Sequence, residues 1–239
     1  MGARVGPDER GVDWPMAEEP GNSIITRVYT AANLAALPAA WEALRSGEVV
    51  AFPTDTVYGV GCDLWKPKAI ERLYWAKLRP RNMAVPVLIS GPEHVAQVVR
   101  ELSTFSMLLM ERFWPGALTL IVPRLPQVPD LLCDGGPTIA VRMPDHLLAL
   151  RLIEGMGGAL AATSANLSGQ PPATTAAQAL AQLSGRVAVI LDGGECPGGV
   201  PSSIIDLVAD PPRLLRQGHL SYEALCEVLP TLVAPASRA

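Results

Sequence analysis

Lysine is nearly missing from this chain of 239 residues: only Lys66, Lys68 and Lys77 occur, and the other basic side chains are arginines. Net charge is −4 and the isoelectric point about 5.4, so nucleic acid is not bound through bulk positive charge. An anionic ligand has to be met by a local cluster of cations. The four cysteines, Cys62, Cys133, Cys196 and Cys226, form no C-x-x-C pair. That spacing speaks against a zinc ribbon or a disulfide framework, leaving buried thiols and no metal site. No apolar run approaches the ~20 residues that a spanning helix requires, which speaks against a membrane partner. The N-terminus meets Asp8, Glu9 and Arg10 before any apolar stretch, so a secretory signal is not expected and a cytoplasmic location is. Neither a tripeptide glycine period nor a sustained heptad is present, and hydrophobic content of 49% with 18% charge excludes a wholly disordered chain.

Two nucleotide-binding signatures are also lacking. There is no G-x-x-x-x-G-K-[ST], and the glycines of Tyr58-Gly-Val-Gly61 lack the third member of a dinucleotide fingerprint. No G-x-S-x-G elbow accompanies the histidines, and His94, His146 and His219 read as surface residues. Asp192 and Glu195, in a glycine-rich stretch, read as parts of a tight loop or as ligands of a divalent metal.

Residues 1–22 are rich in glycine, proline and acids and read as a flexible tail, and residues 231–239 as a second. Between them, 23–230 alternates strand-like and helix-like stretches without a linker or a repeat. This predicts one α/β domain, with prolines in and between strands pointing to a mixed sheet. Pro67 opens a helix over 67–77, and further helices are expected over 105–113, from Asp145 to about 154, near 174–183, and after Ser221. Strands are expected at 49–52, 85–89, 117–122, 138–142, 159–163, 187–191 and 203–208. The internal Pro86 favours an edge or end position for the second of these.

Four polar patches stand where strands end or helices begin, the position at which open α/β sheets bind ligands. Pro53-Thr-Asp-Thr-Val-Tyr-Gly59 offers the hydroxyls of Thr54 and Thr56 to a small polar substrate, or to its own turn. Lys77-Leu-Arg-Pro80 sets a compact charge beside a planar fork, suited to phosphate or carboxylate. Thr163-Ser-Ala-Asn166 presents Ser164 and Asn166 as neutral donors or as a cap and turn. The last patch joins Thr138 and Arg142, Ser202, and Arg216 of the Arg213-Leu-Leu-Arg-Gln-Gly218 segment. Arg142 lies in an apolar strand and must be paired or reach a ligand.

The ordered set Phe52-Pro-Thr-Asp-Thr-Val-Tyr-Gly-Val-Gly61, Lys77-x-Arg79-Pro80, Trp114-Pro-Gly-Ala-Leu-Thr119, Ile139-Ala-Val-Arg-Met-Pro144, Ser164-Ala-Asn166 and Leu215-Arg-Gln-Gly218 resembles the YrdC-like family, over about residues 30–228. These are the L-threonylcarbamoyladenylate synthases of tRNA modification, and the match is to the stand-alone bacterial type. The resemblance implies a twisted mixed parallel/antiparallel sheet with helices and a large concave basic cavity. It implies a nucleotidyltransferase that condenses L-threonine, bicarbonate and ATP to threonylcarbamoyl-AMP and pyrophosphate. A downstream transferase complex would use that product to form N6-threonylcarbamoyladenosine in tRNA. Carried over residue by residue, it implies Lys77 and Arg79 as catalytic cations. Lys77, Arg79, Thr138, Ser164, Asn166 and Arg216 would bind ATP, and Thr54, Thr56, Arg142 and Ser202 L-threonine. Mg²⁺ would accompany ATP. The alternative implied by the same resemblance is a non-catalytic double-stranded RNA-binding or ribosome maturation module, with tRNA or double-stranded RNA as a contact. Two departures stand out: Met83-Ala84 replaces a basic or polar residue followed by proline, and Ser202-Ser203 replaces a Ser-Thr pair.

Overall fold

The computed structural model describes residues 24–197 and 199–235, so the expected N-terminal tail and the last four residues lie outside the described part. Ten strands form one mixed sheet. In chain order they are β1 (Arg27–Thr30), β2 (Val50–Phe52), β3 (Gly59–Cys62), β4 (Val87–Ile89), β5 (Leu118–Pro123), β6 (Thr138–Arg142), β7 (Ala159–Ser164), β8 (Val189–Asp192), β9 (Ser203–Asp206) and β10 (Arg213–Arg216). Six helices accompany them: α1 (Ala36–Arg45), α2 (Pro67–Lys77), α3 (Thr104–Phe113), α4 (Leu147–Glu154), α5 (Ala176–Leu183) and α6 (Tyr222–Val228). Across the sheet the order is β1-β8-β2-β3-β7-β4-β6-β5-β9-β10.

Side chains alternate across this sheet and are divided between two cores. Val50, Phe52, Leu88, Leu160, Ala162, Val189 and Leu191 pack on one face, with Ala40 and Leu44 of α1 and Leu152 and Ile153 of α4. Val49, Ala51, Val60, Cys62, Val87, Ile89, Ala161 and Ile190 belong to the other face, under α2, α3, α5 and α6. Both faces of the central strands are therefore covered, which is why those strands read as short apolar runs and not as half-polar alternations.

Three expectations change. The strand at 85–89 is interior, between β7 and β6. Pro86 stands just outside β4, where its missing N–H removes no ladder bond while its carbonyl accepts from Ala162 at 2.9 Å. β1 and β10, which lack long apolar runs, are the outermost strands of the sheet. The residue flanking α4 is His146 rather than Asp145, and it supplies no side-chain cap. Ser221 does cap α6, its Oγ accepting from Ala224 at 3.2 Å. At the C-terminal side, Leu232 is buried and Val233 bridges to Arg213.

Candidate functional site

The ends of the sheet do not follow the simple rule for parallel strands. β7 runs antiparallel to β4, and β4 parallel to β6, so the end of β7 and the end of β6 point in opposite directions. Ser164 and Asn166 consequently share a sheet end with Thr138, which begins β6. The register continued past the strand ends sets Ser164, Ala84 and Thr138 abreast, roughly 10 Å from first to last at the usual strand spacing. Thr138 is half-buried.

Lys77 is the last residue of α2. That helix starts at Pro67 and buries Ile70, Leu73 and Tyr74, and it stops because Leu78 takes the left-handed conformation (φ 49°). The N–H groups of Leu78 and Arg79 then close on the carbonyls of Trp75 and Tyr74. After this reversal Lys77 and Arg79 take different partners. The ammonium of Lys77, in a residue only 1% exposed, donates to the Ser164 and Asn166 carbonyls, the latter at 2.7 Å, and lies 3.4 Å from Asn166 Oδ1. Three acceptors thus face an ammonium with three N–H bonds. Burial, with the neighbouring charge of Arg79 adding to it, pushes Lys77 down to about 7. Arg79 donates from Nη2 to the Ala84 carbonyl at 2.8 Å and from Nε to that of Met83 at 3.3 Å. Burial also lowers the Arg79 guanidinium from its ordinary value. The Met83-Ala84 departure is absorbed here, because only main-chain oxygens are used.

Asn166 directs its amide N–H groups at the carbonyls of Leu167 and Gln170, both at 2.8 Å, which fixes the turn after β7. Its Oδ1 is the part turned to Lys77. The Ser164 hydroxyl makes no hydrogen bond among the described residues.

A second network forms around Arg142, only 7% exposed at the end of β6. Its Nε donates to Gly116 O (2.9 Å), Nη1 to Thr56 Oγ1 (3.1 Å) and Nη2 to Asp55 Oδ1 (2.5 Å). One N–H on each Nη is left without a partner among the described residues. Thr54 Oγ1 donates to Val57 O at 2.6 Å and accepts from the Thr56 and Val57 N–H groups, so its hydroxyl shapes the turn. Ser202, just before β9, pairs its Oγ with Thr119 Oγ1 at 2.8 Å and accepts from Arg216 Nη2 at 3.2 Å. Arg216 Nε adds a bond to Ser202 O at 2.9 Å. The guanidiniums of Arg142 and Arg216 interact: beyond burial, the charge of Arg142 lowers Arg216. Gly218 makes this possible, since a Cβ there would lie 2.1 Å from Pro201 O and 2.5 Å from Ser202 C. Ser203 replaces a threonine without loss of function for its hydroxyl, which donates to Leu220 O and accepts from Gly218 N.

Sequence reasoning missed Asp55, Thr119, Gly116 and the Tyr58 hydroxyl, which donates to Gly194 O at 2.7 Å. Asp55 was findable as the one carboxylate in its motif, required by a buried arginine; carbonyl acceptors leave no trace in a sequence. His146 is half-buried rather than on the surface, and His94 pairs with Glu154 at 3.2 Å. Among the described residues no group of three or more His, Cys, Asp or Glu could hold a metal ion, and no helix is long and apolar enough to cross a membrane. A shallow groove between β1 and α1, lined by Arg27, Tyr29, Glu42 and Glu48, contains none of the motif residues.

Comparison with known proteins falls on the same segments. A family model named for Sua5, YciO and YrdC, and described as telomere recombination, matches residues 42–218. The threonylcarbamoyl-AMP synthase of Bacillus subtilis is 43% identical over 187 residues, 78% of this chain and 54% of that protein. The threonylcarbamoyl-AMP synthase of Vibrio campbellii is 37% identical over 183 residues, 74% of this chain and 96% of that protein. The crystal structure of Pyrococcus abyssi Sua5 complexed with L-threonine superposes with a TM-score of 0.82 at 38% identity, covering 88% of this chain and 62% of that one. This chain thus spans about half the length of the Bacillus relative and nearly all of the Vibrio one. With a matching family model over most of its length and relatives well above 30% identity, the chain belongs to the Sua5/YciO/YrdC family.

Proposed function

We propose that this chain condenses L-threonine, bicarbonate and ATP to threonylcarbamoyl-AMP and pyrophosphate, feeding a transferase complex that modifies tRNA in the cytoplasm. What supports the reading most is the Arg142 fork, held on Asp55, Thr56 and Gly116 with two N–H groups left over. Those two N–H groups suit the two oxygens of an amino-acid carboxylate. Thr56 borders this fork through its hydroxyl, Ser202 accepts from Arg216, and Thr54 shapes the turn that carries Thr56.

The reaction forces anions together. Once the amine is carbamylated, its carbamate oxygen must approach the α-phosphorus of ATP, and unit charges ~4 Å apart repel by about 4 kcal/mol at an effective dielectric of ~20. Lys77 and Arg79 would screen that repulsion and stabilise charge developing on the α-phosphate. Ser164, Asn166 and Thr138 share one sheet end with them, where a nucleotide would be held, and Arg216 would reach the nucleotide from the amino-acid side. The expected concave basic cavity would lie between the two networks. No protein nucleophile is needed, so positioning and electrostatics would carry the rate. Asp55, the carboxylate bonded to the Arg142 fork, is already paired there. Mg²⁺ therefore fits best as a companion of the triphosphate, with phosphate oxygens and water as its ligands.

The test is pyrophosphate release from the purified chain. All of ATP, L-threonine and bicarbonate should be required, and omission of threonine should abolish release. Release that persists without threonine, or retention of double-stranded RNA with no release at all, would sink the reading.

A further inference from the structure

Tyr74 stands outside the signature motifs, on α2 one turn before Lys77, and is buried in the same core as Ile70 and Leu73. Its hydroxyl lies 2.8 Å from Met83 O and 2.9 Å from Leu131 O. Burial lifts the phenol to about 12 against the charge of Arg79, so at neutral pH it is a donor. A phenol carries a single proton for those two oxygens. Met83 O has a second donor in Arg79 Nε at 3.3 Å, whereas Leu131 O has no other donor among the described residues. The phenolic proton and the Nε–H thus serve two carbonyls between them, and both oxygens are satisfied only while both donors are present.

Three segments meet at this hydroxyl. The first is α2, which ends at Lys77. The second is the stretch from Arg79 to Ala84. The third is the loop that carries Leu131 and runs on into β6 at Thr138. Val85 N–H donates to Leu132 O at 2.9 Å and joins the second segment to the third. Arg124 braces the third from within, donating to Val128 O at 2.6 Å and to Gly136 O at 2.7 Å.

Arg79 is half-buried and spends one edge of its guanidinium on this arrangement. Nε and Nη2 face Met83 O and Ala84 O, which leaves both N–H groups of Nη1 and one of Nη2 without a partner among the described residues. Those remaining groups form the fork that suits two oxygens of a phosphate. The guanidinium is planar and rigid, so fixing one edge fixes the direction of the other.

We propose that Tyr74 is a positioning residue for Arg79: its phenol, by sharing Met83 O with Arg79 Nε, fixes the edge of the guanidinium that faces the main chain and so aims the free edge at the nucleotide phosphate. The inference rests on the reading of Arg79 as the cation that meets that phosphate. Without the hydroxyl, Leu131 O loses its donor, Met83 O keeps only the long bond to Nε, and Ala84 O alone holds the fork closely. A misplacement of about 1 Å in a group of this kind is enough to cost up to ~100-fold in rate.

Tyr74→Phe removes the phenolic oxygen and keeps the ring in the core. Its kcat for pyrophosphate release, taken per L-threonine site counted by calorimetric titration, should fall at least ~10-fold. The dissociation constant for L-threonine should stay within about twofold, because the Arg142 network shares no partner with the phenol. In an Arg79→Ala background the same substitution should cost less than about twofold, since no guanidinium is left to aim. A phenol that serves stability alone would lower activity equally in both backgrounds; that result overturns the proposal, as does an undiminished kcat in Tyr74→Phe. Independently of any change at residue 74, the wild type labelled with ¹⁵N-arginine should show the Arg79 Nε–H, assigned by its loss in Arg79→Lys. It should exchange with solvent at least ~10-fold more slowly than the Nε–H groups of exposed arginines. Exchange as fast as theirs would show that Arg79 is not held on Met83 O, and overturns the proposal even if Tyr74→Phe fails to fold. A wild type that releases no pyrophosphate, yet whose Arg79 Nε–H loses its protection in Tyr74→Phe, would count against the synthase reading and support the positioning of Arg79 by Tyr74.

Discussion

Lys77 carries a conflict: an ammonium shut away from water that, in the proposed function, would stay charged beside phosphate. Burial and the charge of Arg79 lower it to about 7 from an ordinary 10.5. Between those values the native chain holds fewer protons than the unfolded one, so this residue makes stability rise with pH across that window. A triphosphate placed nearby has the opposite effect on the site, favouring the charged form. ATP binding near pH 7.5 should therefore take up protons, measurable as a dependence of the calorimetric enthalpy on buffer ionisation heat. Lys77→Ala should remove most of that uptake, and equal uptake in both proteins would contradict the assignment. Arg142 gives a second prediction on the same scale. Its side chain is 9% exposed and that of Asp55 15%, so removing the guanidinium strands a carboxylate. Arg142→Gln should cost about 3 kcal/mol of stability in denaturant unfolding. Adding Asp55→Asn should recover much of the loss, because the stranded charge disappears. A double variant as unstable as the single one would show that the pair is not what holds the loop.

At the scale of elements, the reversal after α2 gives the two signature cations different partners. Leu78 occupies the left-handed region at φ 49° and ψ 41°, a conformation that costs a side chain with a Cβ about 1–2 kcal/mol. Leu78→Gly should relieve most of that cost, with little burial lost from a side chain already exposed. The thermal midpoint should rise by ~2–4 °C, the usual shift for about 1 kcal/mol in a domain of this size. An unchanged or lower midpoint would mean that Leu78 packing outweighs the strain. The same element shows what the letters of the chain can and cannot reveal. Pro67 and the apolar spacing made the helix visible in advance. β3 was harder, since Gly59 and Gly61 do not look like strand residues. A Cβ at Gly61 would approach Ala161 O to 2.7 Å, so the ladder there tolerates only glycine. β1 and β10 were missed because an outermost strand with polar positions carries little apolar signal. The proposed site residues stand in motifs that the sequence shows. Their partners do not, because Ser164 O, Asn166 O, Met83 O, Ala84 O and Gly116 O are main-chain atoms that every residue type possesses.

The whole molecule brings these pieces together through the antiparallel pairing of β7 with β4, which places the end of β7 and the end of β6 on opposite sides. The loop with Thr54, Asp55 and Thr56 follows β2 at the same sheet end as Ser164, because Phe52 pairs with Gly59 and Gly59 with Ser164, and Arg142 reaches that loop from the end of β6. This geometry predicts a pattern of coupling. Arg142→Gln and Ser202→Ala lie in adjoining hydrogen-bond networks, both reaching toward Arg216, so their effects on L-threonine affinity should be non-additive by at least ~0.5 kcal/mol. Arg142→Gln and Ser164→Ala share no hydrogen-bond partner among the described residues. For L-threonine binding alone their effects should add within about 0.3–0.5 kcal/mol. In turnover, where the carbamate must meet the α-phosphate, the same pair should couple, since misplacing either partner spoils the one approach that matters. Calorimetric titration of the four proteins gives the first comparison, and pyrophosphate release gives the second. Additivity in turnover as well as in binding would mean that the two networks work independently, and the sheet would then be a scaffold for separate sites rather than for a single reaction.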